Sequence, residues 1–474
     1  MTPALRVFKN SFALTLSVLV ERSLNFFLPW YVARVLGREV WGDFSTAYTF
    51  IVIAATLAPW GLVGLLPRHI ARDHQRADSF LANASIIGFA AGIVTLLGMS
   101  VAVHLLNYPP HIETLIYIGL LFVVLPQTEA TIFESVIQGL ERMEWIVFIR
   151  LPGTVLRVST TIFLLANGYG IHILFIILAI YYTLNCLFYL LIFKRFIPNF
   201  TFRPNLSETR LLFIQAIPFF IVISTTETFK QVDRIFLSKA WDADAVGIYA
   251  TGTMFIQLLY MLAPALMGAL FPGLSRSYLS SLERFSFLVS WFFKLLTVSI
   301  FPLMLFTISF ASMMILLVFG NEYEPSIIVL QLTALGILPS FLSRLLYRAT
   351  LASNNERLSV YIAIVGNVTN LLLNILLIPR FGVVGASLAA VGTILVNLVQ
   401  NFWYVTQFTQ FDFRRSLLLP GLCIVISGLV YVLVALYSFI WAFLLSMGVF
   451  VLALLVTGTV GRDDLVHLQL IKAR

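Results

Sequence analysis

Apolar runs of about twenty residues, the length that crosses a ~30 Å hydrocarbon core as a helix, recur along the whole chain with short polar segments between them. They predict spans near residues 11–34, 44–66, 81–106, 114–138, 146–166, 171–193, 211–236, 246–271, 287–319, 327–350, 359–378, 384–409, 417–438 and 441–460. Proline and glycine inside several runs do not argue against helix, because neighbouring helices and side chains re-satisfy the backbone groups they free. The expected fold is therefore all-α and integral to a membrane, with fourteen transmembrane helices. The first run follows Arg6 and Lys9, is long enough to span, and carries Glu21 and Arg22, so it reads as a retained span and not a cleaved leader.

The polar segments give the direction of insertion. With the N-terminus inside, the cytoplasmic segments hold Arg6, Lys9, Arg68, Arg72, Arg76, Arg142, Arg150, Lys194, Arg195, Arg203, Arg210, Arg276, Arg284, Arg357, Arg414, Arg415, Arg462, Lys472 and Arg474. The outer loops hold Arg38, Lys239 and Arg380 alone. Cations are retained on the cytoplasmic side, which predicts a multi-pass protein of the cell membrane with both termini in the cytoplasm. The same bias accounts for the net charge of +8 without a nucleic-acid partner.

Composition agrees with this reading. The chain is 60% hydrophobic and 11% charged, with mean hydropathy +0.96, whereas soluble domains carry about 25% charged residues. The two cysteines, Cys186 and Cys423, lie in apolar runs and offer neither a disulfide framework nor zinc spacing. There is no P-loop and no HExxH, and the GLSRS segment at Gly273 lacks the second glycine of a nucleophile elbow. No loop exceeds the segment from Lys194 to Arg210. A membrane-embedded glycosyltransferase or polymerase, which needs a larger outer domain, is disfavoured, and no enzyme activity is expected.

The segment ARVLGREVWGDFSTAYTF from Ala33 is echoed by SKAWDADAVGIYATGTMF from Ser238, a shift of 205 residues. At that shift Arg34 meets Lys239, Glu39 meets Asp244, Gly42 meets Gly247, Phe44 meets Tyr249, Thr46 meets Thr251, Phe50 meets Phe255 and Pro67 meets Pro272. Many matches at one period mark an internal repeat. Each copy has six spans, an even number, so both start on the same side. Parallel repeats are related by an axis along the membrane normal. The predicted organisation is a six-helix bundle over residues 1–200, a second over 201–412, a central cavity, and two peripheral helices with a cytoplasmic tail over 413–474.

The residues that carry the repeat also carry a family resemblance. The segments LGREVWGDFSTAYTF, QVDRIFLSKAWDADAVGIYATGTMFIQLLYMLAPALMGALFPGLSR and NVTNLLLNILLIPRFGVVGASLAAVGTIL resemble the polysaccharide-transport family of the multidrug, oligosaccharidyl-lipid and polysaccharide exporter superfamily, over roughly residues 5–410. The resemblance implies a flippase for polyprenyl-diphosphate-linked oligosaccharides, working by alternating access between two bundles, with the lipid-linked oligosaccharide and membrane lipid as partners. Association with polysaccharide polymerase machinery and a monomeric state are further expectations. Fourteen spans also resemble the peptidoglycan-precursor flippase. An exporter of cationic drugs is the alternative within the superfamily, and it would prefer an acidic, aromatic interior.

Charges in the bilayer interior are costly, about 2.5–3.5 kcal/mol each at the centre on insertion scales, so they normally face a cavity or a partner. Ser17, Glu21 and Asn25 share a face of the first span, and Gln127, Thr131, Glu134 and Gln138 a face of the fourth. Glu227, Lys230, Asp233 and Arg234 cluster in the seventh, where they either line a cavity or neutralise one another. Arg344 and Arg348 lie one turn apart with no acid within a turn. An anion between them relieves the repulsion, and a diphosphate suits the guanidinium fork; snorkelling to headgroups is the other reading, above all of Arg348. Arg22, Arg157, Lys294, Arg344 and Arg348 are thus the candidate diphosphate ligands, and Glu21, Asn25, Glu134, Glu227, Lys230 and Arg234 the candidate cavity and coupling residues. Asp233, Asn370, Asn374 and Thr393 offer one carboxylate with amide and hydroxyl oxygens, a donor set for a small hard cation. The resemblance implies sodium there; protons through Glu21, Glu134 or Glu227 are the competing coupling ion. No other cofactor is expected.

Overall fold

A computed structural model of the chain describes residues 3–196, 202–353 and 356–459. Among them every regular element is helical: α1 (Pro3–Leu57), α2 (Leu62–Arg72), α3 (Ala77–Leu106), α4 (Pro110–Gly119), α5 (Leu125–Gly139), α6 (Met143–Ala166), α7 (His172–Phe196), α8 (Leu206–Phe229), α9 (Val232–Ala240), α10 (Ala243–Tyr260), α11 (Ala263–Ser280), α12 (Leu282–Ser309), α13 (Ala311–Phe319), α14 (Ser326–Ala334), α15 (Ile337–Ala352), α16 (Glu356–Phe408), α17 (Leu419–Ala435) and α18 (Phe439–Val456).

Twelve stretches among the described residues are long and apolar enough to cross a membrane. Two of them, Ser23–Arg72 and Val360–Phe408, run 50 and 49 residues. At a rise of 1.5 Å per residue each is about 75 Å long, more than twice the hydrocarbon core. The helix that makes up most of each stretch is broken at a glycine far from helical geometry, Gly37 (φ 79°, ψ 169°) in α1 and Gly382 (φ 55°, ψ −128°) in α16. Only glycine takes such positive φ angles without strain, so both stretches are two passes joined at a glycine turn. Twelve stretches, two of them double, give the fourteen spans expected: this is a multi-pass, all-helical membrane protein.

Within spans, the interruptions have identifiable causes. A π-helical turn over Leu120–Val124 runs directly into α5, whose second residue is Pro126. Proline has no N–H to donate and its ring displaces the preceding turn, which an extra residue per turn accommodates. The first repeat is interrupted between α1 and α2, at Trp60 and Gly61, and the second between α10 and α11, at Met261 and Leu262. The repeat is visible in element starts as well. Ala243, which opens α10, is the repeat equivalent of Arg38, the first residue past the Gly37 turn, and Leu282, which opens α12, is the equivalent of Ala77, which opens α3.

The chain divides into two compact units, Met1–Ala250 and Thr251–Arg474. In the first, one core joins Leu66, Ile70, Leu81, Ile132, Val136 and Tyr189, from α2, α3, α5 and α7. A second joins Phe50, Ile51, Tyr108, Ile116, Val124 and Phe175. The outward face of α3 is apolar and open at Val94, Leu97, Val101 and Leu105. Steps of three and four residues make these one stripe, and apolar side chains face outward where the surrounding solvent is lipid. In the second unit α15 is the most enclosed helix, with Ile337, Phe341, Leu345, Leu346 and Ala349 fully buried.

A polar clasp holds the entry of α8 against α3. Asn83 has no exposed surface. Its amide donates to Ser79 O at 2.8 Å and to Glu208 Oε2 at 3.2 Å, and its Oδ1 accepts from Asn205 N at 2.8 Å and Thr209 Oγ1 at 2.7 Å. Glu208 also pairs with Arg76 at 2.7 Å. A comparable contact in the second unit holds the chain beyond α16 against α12: Ser286 Oγ accepts from Gln410 N at 3.0 Å, and Ser290 Oγ from Asp412 N at 3.1 Å. Asn83→Ala leaves several of these groups unpaired in a buried place, and is expected to cost about 2 kcal/mol, read as a lower apparent unfolding temperature in detergent, with Thr209→Val showing a smaller drop.

Candidate functional site

In the first unit, four helices converge on one guanidinium. Arg150 of α6 donates through Nη2 to Glu21 Oε1 of α1 at 2.6 Å and places Nη1 3.6 Å from Glu134 Oε2 of α5. Tyr189 of α7 donates to the other oxygen of Glu134 at 2.6 Å. Two turns along α6, Arg157 donates to Asn25 Oδ1 and lies over the Tyr181 ring, 5.1 Å from its centroid. Thr154, between the two arginines, meets the Tyr181 hydroxyl at 3.2 Å. Arg150, Thr154 and Arg157 fall at steps of four and three and so share a face of α6. The polar stripes of the first and fourth spans therefore meet on a stripe of the fifth. Glu21 and Glu134 are largely enclosed, and Arg150 is 39% exposed, so the cluster is polar, charge-compensated and open on one side.

In the second unit the open polar face belongs to α15. Its residues are buried around most of the circumference, while Arg344 and Tyr347 are exposed and Arg348 is half-buried. Arg344 Nε donates to Ser340 Oγ at 3.3 Å, and its guanidinium lies 5.5 Å from the Tyr260 ring centroid. Arg348 lies 5.6 Å from that of Phe271. Among the described residues neither arginine forms an ion pair with a carboxylate. Aromatic faces and a serine hydroxyl orient both guanidiniums while leaving their charge uncompensated, an arrangement suited to an anionic ligand.

A model of a family described as polysaccharide biosynthesis protein matches residues 7–278, more than half of the chain. The chain belongs to this polysaccharide biosynthesis protein family. A second family model, MatE, matches residues 218–376. A protein of Haloferax volcanii described as "Probable low-salt glycan biosynthesis flippase Agl15" is 23% identical over 426 residues, which cover 88% of this chain and 87% of that protein. An uncharacterized membrane protein of Methanocaldococcus jannaschii is 22% identical over 402 residues, 81% of this chain and 94% of its own. Among solved structures, the lipid II flippase MurJ in an inward closed conformation superposes with TM-score 0.74 at 16% identity, covering 95% of this chain and 99% of that one. An inward-facing multidrug resistance MATE family transporter of the MOP superfamily superposes with TM-score 0.69 at 14% identity, covering 84% and 97%. These likenesses establish the fold.

In this polysaccharide biosynthesis protein the residues singled out from the sequence fall into separate groups. Glu21, Asn25, Glu134 and Arg157 come together around Arg150 and its helix face. Glu227 and Lys230 pair with each other at 2.6 Å, the mutual neutralisation that their spacing allows. Arg234 meets Gln231 Oε1 at 3.4 Å. Asp233 is buried in the first unit and accepts from Tyr249 at 2.9 Å. In the second unit Asn374 donates to Asn370 Oδ1 at 3.1 Å and Asn370 to Thr393 Oγ1 at 3.4 Å. Lys294 stands half-buried on α12. The Arg22 side chain lies outside the described residues. Arg150 is the residue that sequence reasoning misses: its position places it among the cytoplasmic loop cations, although its spacing to Thr154 and Arg157 marks it as part of a helix face.

Proposed function

We propose that the protein is a flippase that carries a polyprenyl-diphosphate-linked oligosaccharide from the cytoplasmic to the outer leaflet of the cell membrane for surface polysaccharide synthesis, by ion-coupled alternating access. The carrying observation is the open arginine face of α15, where Arg344 and Arg348 stand without a carboxylate partner among the described residues. A diphosphate supplies the two negative charges and the planar bidentate acceptors that this face lacks. Membership of the polysaccharide biosynthesis family, and the names of the Haloferax relative and of the lipid II flippase neighbour, support a lipid-linked glycan as cargo. The cation bias of the loops supports cytoplasmic termini. Sodium bound by oxygens of the kind that Asn370, Asn374 and Thr393 present, or protons carried by Glu21 or Glu134, would couple the cycle.

The test is reconstitution in proteoliposomes with a fluorescent polyprenyl-diphosphate oligosaccharide. The wild type is expected to move it between leaflets, and Arg344→Ala to lower the initial rate roughly ten- to a hundredfold, the scale of a lost charged hydrogen bond. Equal rates in the two would sink the role of Arg344, and no movement by the wild type would sink the cargo. A peptidoglycan precursor is the second reading, favoured by a superposition on the lipid II flippase that covers 95% of this chain against 84% for the MATE transporter. Competition between the two lipid-linked sugars in the same vesicles separates them.

A further inference from the structure

One carboxyl of the first unit takes no part in the arginine cluster. Glu129 lies on α5, nine residues before residue 138, where its predicted span ends on the cytoplasmic side. That is roughly 14 Å along the helix, deep in the hydrocarbon core. Helical periodicity sets it on the opposite side of α5 from the stripe Gln127, Thr131, Glu134 and Gln138. It therefore faces away from Arg150, into the seam that α5 forms with α3.

The seam is tight and apolar. A Cβ added to Gly88 of α3 would lie 2.3 Å from Ile132 Cδ1, 3.3 Å from Thr128 Cγ2 and 3.6 Å from Glu129 Oε1. One added to Gly92, a turn further along, would lie 2.6 Å from Leu125 Cδ2. The two glycines let α3 close over α5 beside the carboxyl. Ser85 of α3 hydrogen-bonds that carboxyl, while Glu129 Oε1 is buried with no hydrogen-bond partner among the described residues. The titratable groups around it are the Cys186 thiol of α7 and, across α5, Glu134, which is engaged by Arg150 and Tyr189. Among the described residues no cation pairs with Glu129, whereas Glu21 and Glu134 share the guanidinium of Arg150.

We infer that Glu129 is a proton-binding site of the first bundle, which holds its proton while α3 and α5 are packed as here and releases it to water when they part in the transport cycle. A carboxylate in this seam would have neither water nor a cation, and burying an ion without compensation is costly. The neutral acid needs neither, and its O–H can donate to Ser85 Oγ. Release breaks the O–H bond, passes the proton to water and leaves a carboxylate that opposes closure of the seam until a proton returns. Proton binding is thereby tied to one packing of two helices, the difference between states that a coupling ion must have. The place in the cycle rests on the ion-coupled alternating-access reading above; the bound proton does not.

Two measurements test the site, both on the full-length protein. The first is the infrared difference spectrum between wild type and Glu129→Gln in detergent at neutral pH. The wild type is expected to carry a protonated-carboxyl C=O band, shifted in deuterium oxide, that the variant lacks. A carboxylate band in its place would overturn the proton site. The second is flipping of the fluorescent polyprenyl-diphosphate oligosaccharide in proteoliposomes with and without an imposed pH gradient. The gradient is expected to raise the wild-type initial rate several-fold. Glu129→Gln, whose amide exchanges no such proton, is expected to lose at least nine-tenths of that rise, and Glu129→Asp to keep part of it. Undiminished stimulation of Glu129→Gln, or a wild type indifferent to the gradient, would overturn the role in the cycle. A protonated-carboxyl band in a protein that moves no lipid would support the site and count against the cargo alone.

Discussion

Gly42→Ala is expected to destabilise the protein by about 3 kcal/mol or more, at the upper end of what overpacking costs, and to reduce the folded yield recovered from membranes accordingly. The added methyl would sit 1.7 Å from the backbone carbonyl oxygen of Ala243. No rotamer change relieves a clash with backbone, so two helices must separate; overpacking costs about 1–3 kcal/mol, and more where nothing yields. Alanine gains about 1 kcal/mol over glycine in helix propensity, which does not offset it. Gly247→Ala should behave alike, with its Cβ 2.1 Å from Arg38 O. Gly268→Ala is the control: it lies inside α11 with nothing within 4 Å of the added carbon, and is expected to be neutral or stabilising. Apparent unfolding temperatures of the three variants in one detergent check the ranking, and a Gly42→Ala protein as stable as Gly268→Ala would contradict the close approach of α1 and α10.

Arg150→Ala is expected to lower stability by about 2 kcal/mol, less than a fully buried pair would lose, and to be partly rescued by a second change, Glu134→Gln. The substitution removes the cation shared by Glu21 and Glu134 and leaves two carboxylates without it in a largely enclosed place. Breaking a buried pair costs about 3–5 kcal/mol because the remaining charge is uncompensated; the partial exposure of Arg150 brings the figure down. Neutralising Glu134 keeps its hydrogen bond with Tyr189 in reach while removing one of the two stranded charges. A thermal double-mutant comparison decides it: additive losses would mean that Arg150 and Glu134 act independently.

The spans were legible because lipid imposes a length and a composition on every helix that crosses it, independent of what the helix touches. The two glycine turns were legible only as gaps between predicted spans; that α1 and α16 turn within one or two residues follows from the positive φ of Gly37 and Gly382. Hydropathy reads depth and not lateral direction. It records Glu21, Glu134 and Arg150 as polar points on three helices and gives no means of joining them. Arg150 is hidden by its place near the cytoplasmic end of its span, where a cation is expected for topological reasons alone. The pairing of Glu227 with Lys230 was legible since both partners sit on one helix, at adjacent positions on one face. The period of 205 residues identifies Gly42 and Gly247 as equivalents, yet equivalence says nothing about contact; that needed the carbonyls of Arg38 and Ala243.

The contacts on α3 and α12 bear on how such a chain can lengthen. Asn83 and Ser79 of α3 receive the stretch of chain that enters α8, and Ser290 and Ser286 of α12, close to one repeat period further on, receive the one that leads toward α17. The last two helices are thus seated by the same kind of socket that seats α8. A helix that receives an incoming segment through a few polar side chains can seat a further helical hairpin without change to the helices that precede it.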